Sequence, residues 1–279
     1  MAQIAALEAN GERILHPISG QHIVWRKMGK GPPLVLLHGG LGSWLHWAHV
    51  MPELAASYTL WMPDMPGFGE TTLNPTPEGG LDELVNTLQQ SLDALLGAHT
   101  PILVTGFSFG GLVAALLAAQ RGYVERMVLV SPAGHGGPRR QHTLPLGWRG
   151  LDPELDPESW AQRMRHNLMV QMLHNEAALD ALAMEIQWRG CTQTRFRSKP
   201  FSRSAALAHA LSRYPGETLT LWAEHDVTAT PQQMPDDLAP NGAVRQRHII
   251  DDTGHWLMHE AADLTAALMK RGLSGSQSV

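Results

Sequence analysis

A single cysteine, Cys191, stands among 279 residues. One thiol closes no internal disulfide and is too few for a structural zinc or iron-sulfur site, so a reducing cytoplasm is the compartment expected. Long apolar runs are also missing. The longest clear one, Leu112 to Ala119, falls well short of the ~18 residues that cross a bilayer, so no membrane partner is expected. There is no basic excess: 21 Lys and Arg against 26 Asp and Glu give a formal charge of -5, which offers polyphosphate no attractive surface and excludes nucleic acid as the expected partner. The amino terminus lacks a basic segment ahead of its short apolar run Ile4 to Leu7, so no signal peptide is read there. The glycine-rich segments contain neither G-x-G-x-x-G nor the Walker spacing, so no cofactor is implied. No internal repeat is evident. What remains, at 43% hydrophobic and 17% charged, is a globular chain long enough for one large α/β domain or two ordinary ones.

Buried strands of a parallel sheet read as short apolar runs that end in turn residues. Leu34 to Leu37 runs into His38-Gly39-Gly40, Tyr58 to Met62 into Pro63-Asp64, Ile102 to Thr105 into Gly106, and Met127 to Val130 into Ser131-Pro132. Between them Trp44 to Ala56, Leu81 to Leu96 and Leu112 to Gln120 carry helical spacing, the alternation of a parallel sheet covered on both faces. Arg13 to His16 and His22 to Lys27 flank Gly20 as an antiparallel hairpin. Residues 135–216 show helical periodicity and no convincing strand; strands resume with Leu219 to Trp222 and Val244 to Ile250, and Trp256 to Lys270 reads as a closing amphipathic helix. A Gly/Ser-containing tail after Gly272 is expected to fray. The 135–216 segment carries +4 and the remainder -9. That imbalance is read first as a solvated helical surface, since charge imbalance is usually a property of exposed faces; the sharper reading is a cap that attracts an anionic substrate.

Gly106-Phe107-Ser108-Phe109-Gly110 follows an expected strand and opens an expected helix, the context in which G-x-S-x-G is informative. A strand reversing sharply into a helix leaves the Ser108 hydroxyl exposed, and the helix points free amides and its positive end toward it. A hydroxyl is a poor nucleophile at neutral pH and needs a base, which in turn needs an orienting group. Of fifteen histidines, His255 lies in the loop after the last expected strand, facing the same sheet edge as Ser108. Asp226 follows the Leu219 to Trp222 strand closely. Glu224, Asp251 and Asp252 are its rivals as the orienting acid. His38 reads as a brace for its loop, while His46, His49, His135, His142 and His225 have no partner at metal-ligand spacing, so no metal site is read.

In these motifs the chain resembles the α/β-hydrolase family over nearly its full length. His38-Gly39-Gly40 resembles the family's oxyanion loop, Pro63 to Gly69 the turn after the next strand, Gly106 to Gly110 the nucleophile elbow, and Gly254-His255-Trp256 the base loop. Ala223, where many relatives carry Gly, is a small departure. The resemblance implies an α/β-hydrolase fold: a mostly parallel eight-stranded sheet with helices on both faces, a core of residues 1–134 and 217–279, and a helical cap of 135–216. It also implies Ser108 as nucleophile, Asp226 as acid, His255 as base, and the amides of Gly40 and Phe109 as oxyanion hole.

A serine at the elbow excludes epoxide opening and halide displacement, because the alkyl ether it would form is inert to hydrolysis. A small, largely apolar carboxylic ester is the expected substrate. The alternative is hydrolysis of a carbon-carbon bond in a vinylogous diketo acid: Trp256 and Arg189 resemble the meta-cleavage-product hydrolases, and Arg189 would grip a substrate carboxylate. Phe107, in place of their Asn, and the Gly40-Leu41-Gly42-Ser43 loop depart from that subgroup. Trp44, Phe107, Trp188, Arg189 and Trp256 are the candidate pocket residues; Trp148, Trp160, Met164, Met169 and Met172 fit either a pocket or cap packing, and Arg139 and Arg140 read as solvated. A small molecule is the expected partner, with a homodimer left open, and a non-catalytic small-molecule receptor on the same fold remains a reading of another class.

Overall fold

In the computed structural model, residues 2–274 are described apart from 142, 153, 236, 237 and 239–241. His142 and the tail beyond residue 274 therefore lie outside the described residues. The strands are β1 (Glu12–Ile18), β2 (Gln21–Met28), β3 (Pro33–Leu37), β4 (Thr59–Pro63), β5 (Ile102–Phe107), β6 (Val124–Val130), β7 (Glu217–Ala223) and β8 (Arg245–Ile250). They form one sheet in the order β1-β2-β4-β3-β5-β6-β7-β8, parallel from β4 through β8 and antiparallel at the β1-β2 hairpin and the β2-β4 pair.

The helices are α1 (Ala2–Ala9), α2 (Met51–Ala55), α3 (Gly80–Leu96), α4 (Phe109–Arg121), α5 (Pro157–Gln171), α6 (Ala181–Gln193), α7 (Lys199–Ser202), α8 (Ala206–Ser212), α9 (Leu257–Glu260) and α10 (Ala262–Ser274). The central strands alternate between two cores. Leu34, Leu36, Val128 and Val130 face one side, under α2 and α10, while Val35, Leu37, Met127 and Leu129 face the other, under α3, α4 and α8. Every one is fully buried, so both faces are dry, and each such side chain stabilises the fold by ~1.5–3 kcal/mol. In α3, Leu81, Leu84, Val85, Leu88 and Leu92 recur at helical spacing on one buried face, and Gly97 at φ 92 ends the helix.

Two expected helices are broken. Trp44 to Ala56 divides into a 3-10 turn, Trp44–Trp47, and the short α2, where Pro52 in the first turn has no N–H to extend a helix from upstream. Trp256 to Lys270 divides at Ala261, whose φ of -132 and ψ of 53 leave the helical region. Helix α1 carried no periodic signal; Ile4, with the partly buried Leu7 beside it, anchors it in the core. Between β6 and β7 lie α5 to α8, without a strand among the described residues. Of these, α8 packs on α4 beneath the sheet.

Candidate active site

The site begins where β5 must become α4 within one residue. Ser108 holds φ 51 and ψ -117, a conformation that costs ~1–3 kcal/mol. The turn is fixed from below: the Ser108 amide donates to the Val130 carbonyl at 2.9 Å, and its own carbonyl accepts from Ala133 and Gly111 at 2.8 and 2.9 Å. A Cβ on Gly106 would come within 2.2 Å of the Gly110 carbonyl oxygen, and one on Gly110 within 2.2 Å of that of Leu37, so neither position admits a side chain. The Ser108 side chain makes no capping bond to the helix it precedes and is only partly buried, so its hydroxyl is unspent.

After β8, His255 presents Nδ1 to both carboxylate oxygens of Asp226, at 3.0 and 2.9 Å. Asp226 is fully buried at the end of β7 and also accepts the Thr228 amide at 2.7 Å. Burial alone would raise its carboxyl, but the His255 charge and hydrogen bond and those of Thr228 hold it below the ordinary carboxylate value. It is therefore ionised, an acceptor that fixes the proton of His255 on Nδ1 and leaves Nε2 basic. Phe107, next to Ser108 in the chain, lies against the His255 ring at 4.9 Å between centroids. The acid loop is clamped from outside by Arg140, which donates to the Glu224 and Asp226 carbonyls, while the exposed Arg139 donates to the Ser202 carbonyl. His135 donates Nε2–H to the Thr228 carbonyl at 3.1 Å and accepts Gly137 N–H at Nδ1, supporting the same turn.

Glu260 is a residue that spacing gave no reason to single out. Its carboxylate accepts the Gly254 amide with one oxygen and those of His174 and Asn175 with the other, at 2.5, 2.8 and 2.6 Å. It ties the loop carrying His255 to the segment after α5. On the far side of His255, the Trp256 amide donates to the Met172 carbonyl at 2.8 Å. Glu260→Ala leaves three amides without that acceptor, so a loss of about 2 kcal/mol and a Tm lower by several degrees are expected. Turnover falls with it, by about tenfold, because His255 is no longer held. A thermal melt beside a kcat measurement checks this; unchanged values in both would remove Glu260 from the account.

Two buried imidazoles brace the loop after β3. His38 Nε2 accepts the Met65 amide at 3.0 Å and Nδ1–H donates to the Gly39 carbonyl at 2.8 Å; His46 Nδ1 accepts the Gly39 amide at 3.1 Å. Both patterns require neutral rings. Burial draws His38 down to about 4, and burial together with the nearby His38 and His255 draws His46 well below its ordinary value. With Gly39 N–H committed to His46, the amides of Gly40 and Phe109 are among those for which no acceptor occurs in the described hydrogen bonds. The two residues adjoin, since a Cβ on Gly40 would lie 3.8 Å from that of Phe109.

Asp64 completes the brace, accepting Trp44 and Glu70 amides at 3.1 and 2.9 Å; burial lifts its carboxyl to about 6. Linkage sets the pH response. A depressed histidine contributes stability above 6.5 that is lost as pH falls toward its folded value, about 3 kcal/mol for His38. Asp64 has the opposite sign: its contribution grows as pH falls through 6 and offsets about one imidazole. His46 tips the sum. Tm is expected to fall as pH drops from 6.5 to 4, and a melt series across that window showing no decline would contradict the neutral tautomers.

Of the five candidate pocket residues, Phe107 is the one whose ring meets a catalytic candidate in the described ring contacts. Trp256 is buried, donates its indole N–H to the His46 carbonyl at 3.0 Å and stacks on His259. Trp44 is buried under Arg26, whose guanidinium lies 5.1 Å from the ring centroid. Trp188 packs edge-on against Trp160 within the inserted helices. Arg189 bonds Glu185 one turn back at 2.7 Å and lies 3.8 Å from Glu8 of α1, so it is paired with protein carboxylates in this conformation. His49 and His225, which spacing left without partners, each meet another imidazole and a carboxylate in space: His259 and Asp180, and His174 and Asp252. Through these groups the inserted helices are joined to the sheet.

A sheet with this strand order, carrying a serine on a strained strand-to-helix turn and an aspartate-bound histidine beyond its last strand, defines a class of fold. A family model described as the alpha/beta hydrolase family matches residues 34–268, and the chain belongs to that family. It is 31% identical over 86% of its length, and 86% of the relative's, to 2-hydroxymuconate semialdehyde hydrolase of Pseudomonas sp. (strain CF600). It is also 31% identical to pimeloyl-[acyl-carrier protein] methyl ester esterase of Vibrio vulnificus, over 47% of this chain and 46% of that one. Among solved structures, a meta-cleavage product hydrolase, CumD, superposes with a TM-score of 0.67 at 25% identity, covering 92% of this chain and 96% of the other. No helix among the described residues is long and apolar enough to cross a membrane.

Proposed function

We propose that this chain is a serine hydrolase that cleaves a carboxylic ester of a small, largely apolar substrate. The observation that carries the proposal is an unspent hydroxyl on a strained turn, at the sheet edge where a buried carboxylate already orients an imidazole. In this reading His255 Nε2 takes the Ser108 proton as Oγ bonds to the ester carbonyl carbon, and the carbonyl electron pair moves onto oxygen, facing the Gly40 and Phe109 amides. Collapse of the adduct expels the alkoxide, which takes the proton from His255. Water then repeats the attack on the acyl-serine, releasing the acid and restoring Ser108. Asp226 stabilises the imidazolium and stays ionised throughout.

A second reading is hydrolysis of a carbon-carbon bond in an acidic dienol ketone. It is favoured by the relative matched along most of both chains, whose name is that of a semialdehyde hydrolase. Against it stand the apolar Phe107 beside Ser108 and the pairing of Arg189 with Glu185 and Glu8, which compete with a substrate carboxylate for its guanidinium. A panel of p-nitrophenyl acyl esters and a dienol diketo acid separates the two. Higher kcat/KM for the esters is expected, as is an effect of Arg189→Gln on ester turnover smaller than about twofold. A clear preference for the diketo acid, lost in Arg189→Gln, would reverse the assignment. Failure of a fluorophosphonate to label Ser108 would favour a receptor.

A further inference from the structure

Ser198 lies where the inserted helices return to the sheet, and its surroundings fix it closely. Two residues earlier, Phe196 is buried among Phe68 and Phe109, at 5.9 and 5.8 Å between ring centroids, and stacks on Phe201. The amides of Arg195 and Phe196 both donate to the Gly67 carbonyl, at 2.8 and 3.1 Å, and the Arg195 guanidinium bonds the Thr71 carbonyl. Past Ser198, its carbonyl accepts the Ser202 amide and hydroxyl, and the Ser202 carbonyl accepts the Gly134 amide at 3.0 Å. This stretch is therefore fastened to the loops around the elbow through Gly67, Thr71 and Gly134, and is not a free lid.

The Ser198 hydroxyl makes no hydrogen bond among the described residues. That hydroxyl occupies the space a side chain at position 40 would need: a Cβ on Gly40 would lie 2.5 Å from Ser198 Oγ, 3.5 Å from Ser198 Cβ and 3.8 Å from Phe109 Cβ. The hydroxyl thus sits against Gly40, which itself adjoins Phe109, and no acceptor is described for the amide of either residue. Serine O–H rotates freely about χ2 and can point its proton wherever negative charge develops.

Resting on the serine hydrolase reading above, we propose that Ser198 supplies a third hydrogen-bond donor to the oxyanion. As Ser108 Oγ adds to the carbonyl carbon, the π pair moves onto oxygen, and Ser198 O–H donates a hydrogen bond to that oxygen beside the two amides. No proton is transferred to it, and the bond is released when the pair returns to re-form the carbonyl. The hydroxyl acts on charge present only in the adduct, so its benefit falls on kcat.

The test compares Ser198→Ala and Ser198→Thr with the wild type on p-nitrophenyl butyrate, with a trifluoromethyl ketone as analogue of the adduct. The alanine variant is expected to lose about 10- to 100-fold in kcat with KM within about twofold, to bind the ketone more weakly by a similar factor, and to melt within a few degrees of the wild type. The threonine variant keeps the hydroxyl and recovers part of the loss. A Gly40→Ala variant gives a second, activity-free readout: its loss of Tm should be smaller when combined with Ser198→Ala, because the 2.5 Å collision is removed. Unchanged or faster turnover in Ser198→Ala, or weakened ester binding with ketone inhibition intact, overturns the proposal. If wild-type Ser108 is not labelled by a fluorophosphonate, it is the underlying hydrolase reading that fails.

Discussion

Ser108→Ala is expected to reduce ester turnover by at least ~10⁴-fold and to abolish fluorophosphonate labelling, while the chain folds as before. The size follows from the mechanism: without Oγ no acyl-enzyme forms, and the oriented imidazole and the oxyanion donors can assist only direct attack by water. Folding is unaffected because the hydroxyl makes no capping bond, and alanine tolerates φ 51 no worse than serine does. The same site gives a stability readout of opposite sign. Glycine adopts φ 51 without strain, so Ser108→Gly is expected to be inactive yet more stable, by about 1 kcal/mol, since the strain held at the elbow disappears. Full turnover in Ser108→Ala, or a Gly variant less stable than the Ala variant, would show that the turn is not a strained mount for a nucleophile.

Much of this arrangement was legible in the sequence because it is local. Leu34 to Leu37, Ile102 to Thr105 and Met127 to Val130 are apolar without alternation, and the sheet buries both faces of those strands. Ser108 and Asp226 each follow such a run within a few residues, and His255 follows the more polar β8, so placing the strands was enough to bring the three loops to one edge. What was illegible depends on contacts between residues far apart in the chain. The role of Glu260 arises from amides at 174, 175 and 254, and that of Ser198 from its fit against Gly40; no spacing rule reaches across such separations. The placement of the aromatic candidates depends on the same kind of contact. Trp44 and Trp256 flank the motifs in the sequence, yet their rings turn toward Arg26 and His259, because a large apolar surface near a loop is driven into the nearest core. Arg189 lies on the expected helix, but Glu185 one turn earlier and Glu8 of an unforeseen helix take its charge.

The second large effect expected is in Asp226→Asn, with a fall in kcat of about 10⁴ at neutral pH and little change in secondary structure. The carboxylate accepts two donors at once, His255 Nδ1–H and the Thr228 amide. An asparagine has one acceptor and one donor face. If its oxygen stays on Thr228, its NH₂ meets Nδ1, which must then carry the lone pair, and the ring proton moves to Nε2, which can then no longer accept the proton that the proposed mechanism takes from Ser108. The loss is therefore one of tautomer, not of position. Glu224→Gln is the matched control. Glu224 competes with Asp226 from sequence alone, but its side chain accepts the Asp252 amide at 2.9 Å and does not bond to His255. It should cost less than about tenfold in kcat. Measuring both variants at pH 7 to 8 decides between the carboxylates: a large loss in Glu224→Gln with Asp226→Asn nearly active would place the orienting acid elsewhere and overturn the proposed roles of Asp226, His255 and Ser108.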